Sequence, residues 1–145
     1  MSTPGNTGSR GALTQFIRRE ADRILGACTR CGKCFEACPM TPYSASCTGA
    51  APEAAVSGIL SLLRGEAANP EGLGWASVCV RTGACVPACP EHVNPAMMVR
   101  IGRMAASGGF GNERQIPVRE DRDFFDRVRA FAKLQLTDEE FERWT

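Results

Sequence analysis

The chain has 145 residues, eight of them cysteine, and 17 Lys and Arg against 16 Asp and Glu leave a formal charge of +1. That length implies a single domain able to bury roughly 70% of its unfolded surface. The balanced charge supplies no field to draw in nucleic acid or anionic lipid. The longest apolar stretch, Val56 to Leu63, is broken by Ser57, Gly58 and Ser61 and is far too short to cross a bilayer.

Residues 1–10 are polar and rich in Gly, Ser and Thr, which predicts a disordered tail and no secretory signal. From Ala12 to Ala27, apolar Leu13, Phe16, Ile17, Ala21, Ile24 and Leu25 recur at helical spacing, opposite Arg18, Arg19, Glu20 and Arg23. After a first cysteine run, Ala51-Pro52 opens a second helix with proline in its tolerated first turn. Its stripe is Val56, Ile59, Leu60 and Leu63, and Gly65 ends it. Asn69-Pro70-Glu71-Gly72 reads as a turn, followed by a short helix that carries Leu73 and Trp75 into Cys79. Past a second cysteine run, Asn94-Pro95 supplies an N-cap and a first-turn proline for a helix lined by Met97, Met98, Ile101 and Met104.

Ser107-Gly108-Gly109-Phe110-Gly111 breaks that pattern. The expected organisation is therefore a tail over 1–10, a helical domain over 11–106, a linker over 107–118 and a C-terminal helical extension over 119–145. In the extension, Asp121 to Leu136 places Phe124, Phe125, Val128, Phe131, Ala132 and Leu134 at helical spacing. Thr137-Asp138-Glu139-Glu140 is a capping box for a last short helix bearing Phe141 and Trp144. No segment alternates with period two, so the fold class expected is all-α, with ligand-bearing loops between helices.

The chemistry sits in those loops. Cys28-x2-Cys31-x2-Cys34-x3-Cys38-Pro39 is the bacterial ferredoxin run, in which thiolates hold iron–sulfur clusters. The fourth cysteine of such a run normally serves the neighbouring cluster, so two runs read as one two-cluster unit. A disulfide framework suits small secreted chains, and structural zinc shows paired Cys half-sites; a cysteine every third residue followed by Cys-Pro matches neither. Pro39 stops the first turn from closing on itself. Gly32 lets backbone N–H groups approach inorganic sulfide. Arg30 and Lys33 either raise the potential of an anionic cluster or are solvated loop charges.

The second run departs from the pattern. Cys79-x5-Cys85-x3-Cys89-Pro90 has Thr82 where its second cysteine is expected, and a hydroxyl is a much poorer iron ligand than a thiolate. Cys47, in a Ser/Thr/Pro-rich loop, is the spare cysteine and a candidate extra ligand, or else a free thiol. His92, the single histidine, either takes a proton-coupled or hydrogen-bonding role or packs against the cysteine loops. Trp75 and Met97 read best as core, and Tyr43 as a loop residue.

With its trailing Asn94-Pro95, this pair of runs resembles the C-terminal, alpha-helical ferredoxin domain of succinate dehydrogenase and fumarate reductase iron–sulfur subunits. It is equally similar to the small C-type subunit of heterodisulfide reductases, which also matches in length. The likeness covers roughly Ala12 to Ala106, and its strength lies in the cysteine signature. It implies a [4Fe–4S] cluster on Cys28, Cys31, Cys34 and Cys89, and a second cluster on Cys38, Cys79 and Cys85. With Thr82 in the open corner, that second cluster is expected to be [3Fe–4S] or an atypically ligated [4Fe–4S]. Heterodisulfide reductase C-type subunits usually carry a full second run, so Thr82 leans toward the succinate dehydrogenase pattern.

No plant-type Cys-x4-Cys-x2-Cys run, no adjacent Cys-Cys pair and no Gly-x-Gly-x-x-Gly occurs, so no catalytic residue is assigned. The leading expectation is an electron-transfer iron–sulfur subunit of a multi-subunit oxidoreductase, heterodisulfide reductase C-like. Its expected partner is a Cys-Cys-Gly-rich or flavoprotein catalytic subunit, contacted through the C-terminal extension. A free-standing ferredoxin-type carrier is the alternative, and a redox sensor a third class that lacks any output domain. The expected location is cytoplasmic, with any membrane association made through a partner.

Overall fold

The structure, a computed structural model, describes residues 7–116 and 124–144. Among the described residues there are helices and turns and no strand, so the fold is all-α. The helices are α1 (Thr7–Ala27), α2 (Lys33–Glu36), α3 (Pro52–Leu63), α4 (Pro70–Val78), α5 (Pro95–Ala106), α6 (Phe124–Gln135) and α7 (Asp138–Trp144), with a 3-10 turn at Thr41–Tyr43.

The core lies where α3, α4 and α5 meet. Val56, Ile59, Leu60 and Leu62 from α3, Trp75 and Ala76 from α4, and Met98, Val99 and Ile101 from α5 are all buried. Each large apolar side chain taken fully out of water contributes about 1.5–3 kcal/mol, more than the propensity differences that favour these helices. The α3–α4 crossing is close because two glycines face each other. A Cβ built on Gly72 would stand 2.6 Å from the Gly58 Cα, so any larger residue there would push the helices apart. Asn69 completes the joint. Its Oδ1 caps α4 by accepting from the Gly72 N–H at 2.8 Å, and its Nδ2 donates to the Ala54 carbonyl of α3 at 2.9 Å. Asn69 is thus a helix cap, where the sequence reads as a plain turn.

α1 begins at Thr7, inside the segment expected to be a tail. Residues 8–11 include Gly8 and Gly11, which weaken a helix, but no proline to break it, so the helix nucleated by the amphipathic stretch extends back through them, and the Thr14 hydroxyl donates to the Arg10 carbonyl at 2.9 Å. Ile24 and Ala21 reach the core, whereas Leu13 and Phe16 stay exposed, so the stripe has a partner only from Ile17 onward. The rest of the expected tail lies outside the described residues.

The stretch expected as a linker folds back on the core. Gln115 and Ile116 donate backbone N–H groups to the Ala106 carbonyl at 2.7 and 3.2 Å. The Gln115 side chain accepts from Ala68 N at 2.9 Å and donates to the Glu66 carbonyl at 3.2 Å. Residues 117 and 118, also assigned to the linker, lie outside the described residues. So do 119–123, 145 and the expected first turn of α6. The α7 capping box is present as read: the Glu140 N–H donates to Thr137 Oγ1 at 3.3 Å, and the Thr137 N–H donates to Glu140 Oε2 at 2.9 Å.

Candidate metal centre

Both cysteine loops use the same backbone device. Arg30, two residues after Cys28, has φ 60°, and Arg81, two residues after Cys79, has φ 61°. Gly32 and Gly83 follow, each at φ 77°. A non-glycine residue in the left-handed region costs about 1–2 kcal/mol, and such strain concentrates where a loop is held for function. Here it turns each loop back on itself, so cysteines on either side of the bend face one space. The correspondence continues downstream, where Cys38 N–H donates to Phe35 O at 3.1 Å and Cys89 N–H donates to Val86 O at 3.4 Å. In this register Thr82 stands where the first loop has Cys31.

The two loops pool their cysteines crosswise. One cavity is lined by Cys28, Cys31 and Cys34 together with Cys89 from the second run. A second is lined by Cys79 and Cys85 together with Cys38 from the first run, with Thr82 beside them. Val56, Val93 and Met98 wall the first cavity, and Met40, Trp75 and Val99 wall the second. Trp75 is fixed by an edge-on contact with Phe35, ring centroids 5.3 Å apart. It therefore serves core and cavity together.

Gly32 is required twice over. Beyond its positive φ, a Cβ there would lie 2.4 Å from the Pro52 Cβ at the start of α3. Gly83 has open space around it and needs only the backbone freedom.

Burial pushes the Cys34 thiol up to about 12, only partly offset by the Phe35 N–H, and negative charge on Cys28, Cys85 or Cys31 raises it further. Burial, then charge on Cys38, pushes Cys85 up to about 11. Cys79 is also raised, again mainly by burial. The two cavities are neighbours along the chain, because Cys34 and Cys38 lie four residues apart in one loop, Cys85 and Cys89 four apart in the other, and each pair is divided between the cavities. Thiols crowded in this way stay protonated without a compensating cation, and iron supplies that cation while displacing their protons.

The donor sets fit the cluster groups that the resemblance implies. One cavity has four thiols, the other three thiols and a hydroxyl. Among the described residues, no three Cys, His, Asp or Glu side chains come together at the spacing of a single-ion site. Thr82 Oγ1 accepts from the Ala84 N–H at 3.3 Å, so its hydroxyl takes part in the local turn.

The remaining candidates sit elsewhere. Cys47 is buried but lines neither cavity; its thiol donates to the Glu71 carbonyl at 3.7 Å, and burial raises its pKa. His92 is exposed at φ 52° and lines neither cavity, while its N–H donates to the Cys89 carbonyl at 3.3 Å. Met98 rather than Met97 faces the first cavity. Tyr43, half exposed, borders a surface groove with Lys133 and Phe141 of the C-terminal helices.

Arg103 is a positioning residue that periodicity does not reveal. From α5, its Nη1 donates to the carbonyls of Ser77 at 2.9 Å, Ala76 at 3.4 Å and Cys79 at 3.4 Å. It closes the C-terminal end of α4 and holds the Cys79 backbone in place.

Comparison with curated proteins and with solved structures finds no match. A family described as a 4Fe-4S binding domain matches residues 25–41 and 76–98, the two segments that carry the cavity-lining cysteines. The match supports an iron–sulfur, ferredoxin-type family and an electron-transfer role for these loops.

Proposed function

We propose that the chain is an electron-transfer iron–sulfur subunit of a multi-subunit oxidoreductase, of the heterodisulfide reductase C-like kind. The observation that carries this reading is the crosswise sharing of cysteines: Cys89 lines the cavity of the first run, and Cys38 lines that of the second. Two-cluster ferredoxins share ligands in this way.

Cys28, Cys31, Cys34 and Cys89 would hold a [4Fe–4S] group, and Cys38, Cys79 and Cys85 a [3Fe–4S] or atypically ligated [4Fe–4S] group. Bound there, the two groups supply one-electron redox chemistry at adjoining positions. The protein orients the thiols by the paired left-handed bends, excludes water with Trp75, Met40, Met98 and Val56, and braces Cys79 through Arg103. Thr82 leaves the second set one thiolate short. Exposed Phe124, Phe125, Leu134 and Trp144 on α6 and α7 support docking of a catalytic partner, Cys-Cys-Gly-rich or a flavoprotein.

The test is iron and sulfide analysis with EPR on anaerobically purified protein. Cys89→Ser should remove the signal of the first centre, although Cys89 lies in the second run. Thr82→Cys should replace an oxidised three-iron signal with a four-iron signal on reduction. Full iron content in Cys89→Ser would reject the ligand set. Recovery of a tagged copy from its native host as a lone holoprotein would reject the subunit role.

A further inference from the structure

The first and last helices are both short of packing. α1 runs ahead of the core: Leu13 and Phe16 in its first half are 57% and 45% exposed, and its stripe meets buried residues only from Ile17 onward. A helical stretch that includes Gly8 and Gly11 is marginal without something packed against it. α7 has seven residues, none of them buried. Its Trp144 leans on Phe141, ring centroids 6.0 Å apart, and is still 53% exposed.

The two helices carry opposite charge. Residues 7–19 hold Arg10, Arg18 and Arg19 and no Asp or Glu, and the first acidic residue, Glu20, is taken by Arg23 at 2.8 Å. On α7, Asp138, Glu139, Glu140 and Glu142 outnumber the single arginine, Arg143. Neither set is neutralised within the molecule, because the two ion pairs among the described residues are Arg23–Glu20 and Arg64–Glu66. Glu140 is engaged by the Thr137 cap, and Lys133 of α6 sits over the Phe141 ring, 5.3 Å from its centroid. Asp138 and Glu142 are exposed.

Charged and apolar groups alternate to match. Leu13, Phe16 and Ile17 have the i, i+3, i+4 spacing with which a helix lays one face on another surface. Arg10 stands three residues before Leu13 and Arg19 three after Phe16, so both flank that face. Asp138 and Glu142, one turn apart, border Phe141 and Trp144 in the same way. Leu13, Phe16 and Trp144 are exposed in one and the same molecule, so α1 and α7 do not cover each other within a chain.

We propose that they do so between chains: the first half of α1 and the outer face of α7 form a docking surface for a second copy of this protein. α1 of each copy lies against α7 of the other, with Leu13 and Phe16 on Trp144 and with Arg10 and Arg19 beside Asp138 and Glu142. A two-fold pair makes this contact twice and closes on itself. Phe124 and Phe125, at the opposite end of α6, stay outside it. The contact stands on α1 and α7 and not on the bound groups or the catalytic partner.

The experiment is sedimentation velocity on the full chain, purified anaerobically with its iron, from about 1 to about 200 μM at low and high salt. The expected result is a shift from the mass of one chain to that of two, with a Kd in the micromolar range that rises about tenfold or more at high salt. Leu13→Asp/Phe16→Asp should raise the Kd at least about tenfold with the visible absorbance unchanged. Arg10→Glu/Arg19→Glu and Asp138→Lys/Glu142→Lys should each do the same alone. Mixed in equal amounts, those two charge-reversed variants should pair again about as tightly as the parent. In the mixed pair each reversed face meets a reversed face, and each unchanged face an unchanged one. Phe125→Asp should pair as the parent does.

A single-chain mass at every concentration would overturn the proposal. So would undiminished pairing in Leu13→Asp/Phe16→Asp, no pairing in the mixture, or a mass that keeps rising past two chains. Binding to phosphatidylglycerol vesicles by a chain that stays single in solution, lost in Leu13→Asp/Phe16→Asp, would give the basic face of α1 to a lipid surface instead. Failure of the cluster reading would appear separately, as missing iron in protein that still pairs. Failure of the subunit role would appear as an iron-loaded pair recovered from the native host with no other chain.

Discussion

Gly32 and Gly83 form a matched pair whose alanine variants should differ by an amount the structure sets. Both have φ 77°, so both pay the left-handed cost of a Cβ, about 1–2 kcal/mol. At Gly83 nothing lies within 4 Å of the added carbon, and the cost ends there. At Gly32 the carbon would meet Pro52 Cβ at 2.4 Å, Pro52 C at 3.1 Å and Glu53 N at 3.3 Å. Two of those atoms are backbone at the start of α3, and the third belongs to a rigid ring, so relief requires moving the loop against the helix. Overpacking of this kind costs about 1–3 kcal/mol more. Gly32→Ala should therefore lose about 2–5 kcal/mol, a large share of the 5–15 kcal/mol that holds a typical domain together. Because release of the bound groups accompanies unfolding, the measurement should compare urea midpoints of anaerobically reconstituted protein at fixed iron load. Iron content after gel filtration is the second readout, and Gly32→Ala should retain less than Gly83→Ala. If Gly83→Ala proves as destabilising as Gly32→Ala, or worse, the steric reasoning about Pro52 is refuted.

Cys47→Ala should leave iron content and EPR signals unchanged, because this thiol lines neither cavity and its hydrogen bond goes to Glu71; loss of the second centre's signal would make Cys47 a ligand. Arg103→Met keeps the length of the side chain but removes its donors to Ser77, Ala76 and Cys79. It should cost about 1.5–3 kcal/mol in urea unfolding and loosen the second centre before the first. Equal loss of both EPR signals would refute its placement as a brace for Cys79.

Local features of the chain were legible because their causes are local. The cysteine spacing, the helical periodicity of α3, the Asn94 cap (Oδ1 accepting from Met97 N–H at 3.0 Å) and the Thr137–Glu140 box depend on residues a turn or less apart. An all-α fold follows from such signals alone. Boundaries were less legible. Nothing in composition marks whether a polar stretch such as residues 7–10 will be carried along by a helix that nucleates after it. Likewise, a glycine-rich segment does not announce that Gln115 will bridge to Glu66 and Ala68.

What only the tertiary structure decided involves residues distant in sequence meeting in space. Gly58 and Gly72 look like two weak helix positions until their helices cross. Trp75 reads as core, and its second role beside Cys38 and Cys85 needs α4 to be laid against the cysteine loops. The formal charge of +1 sums 17 basic against 16 acidic residues and carries no information on where any of them stands. Folding brings Arg81, Arg100, Arg103 and Arg127 from three segments around one cavity. Net charge sums over the chain, whereas a ligand feels the charges within roughly one Debye length, and which charges those are is settled by packing.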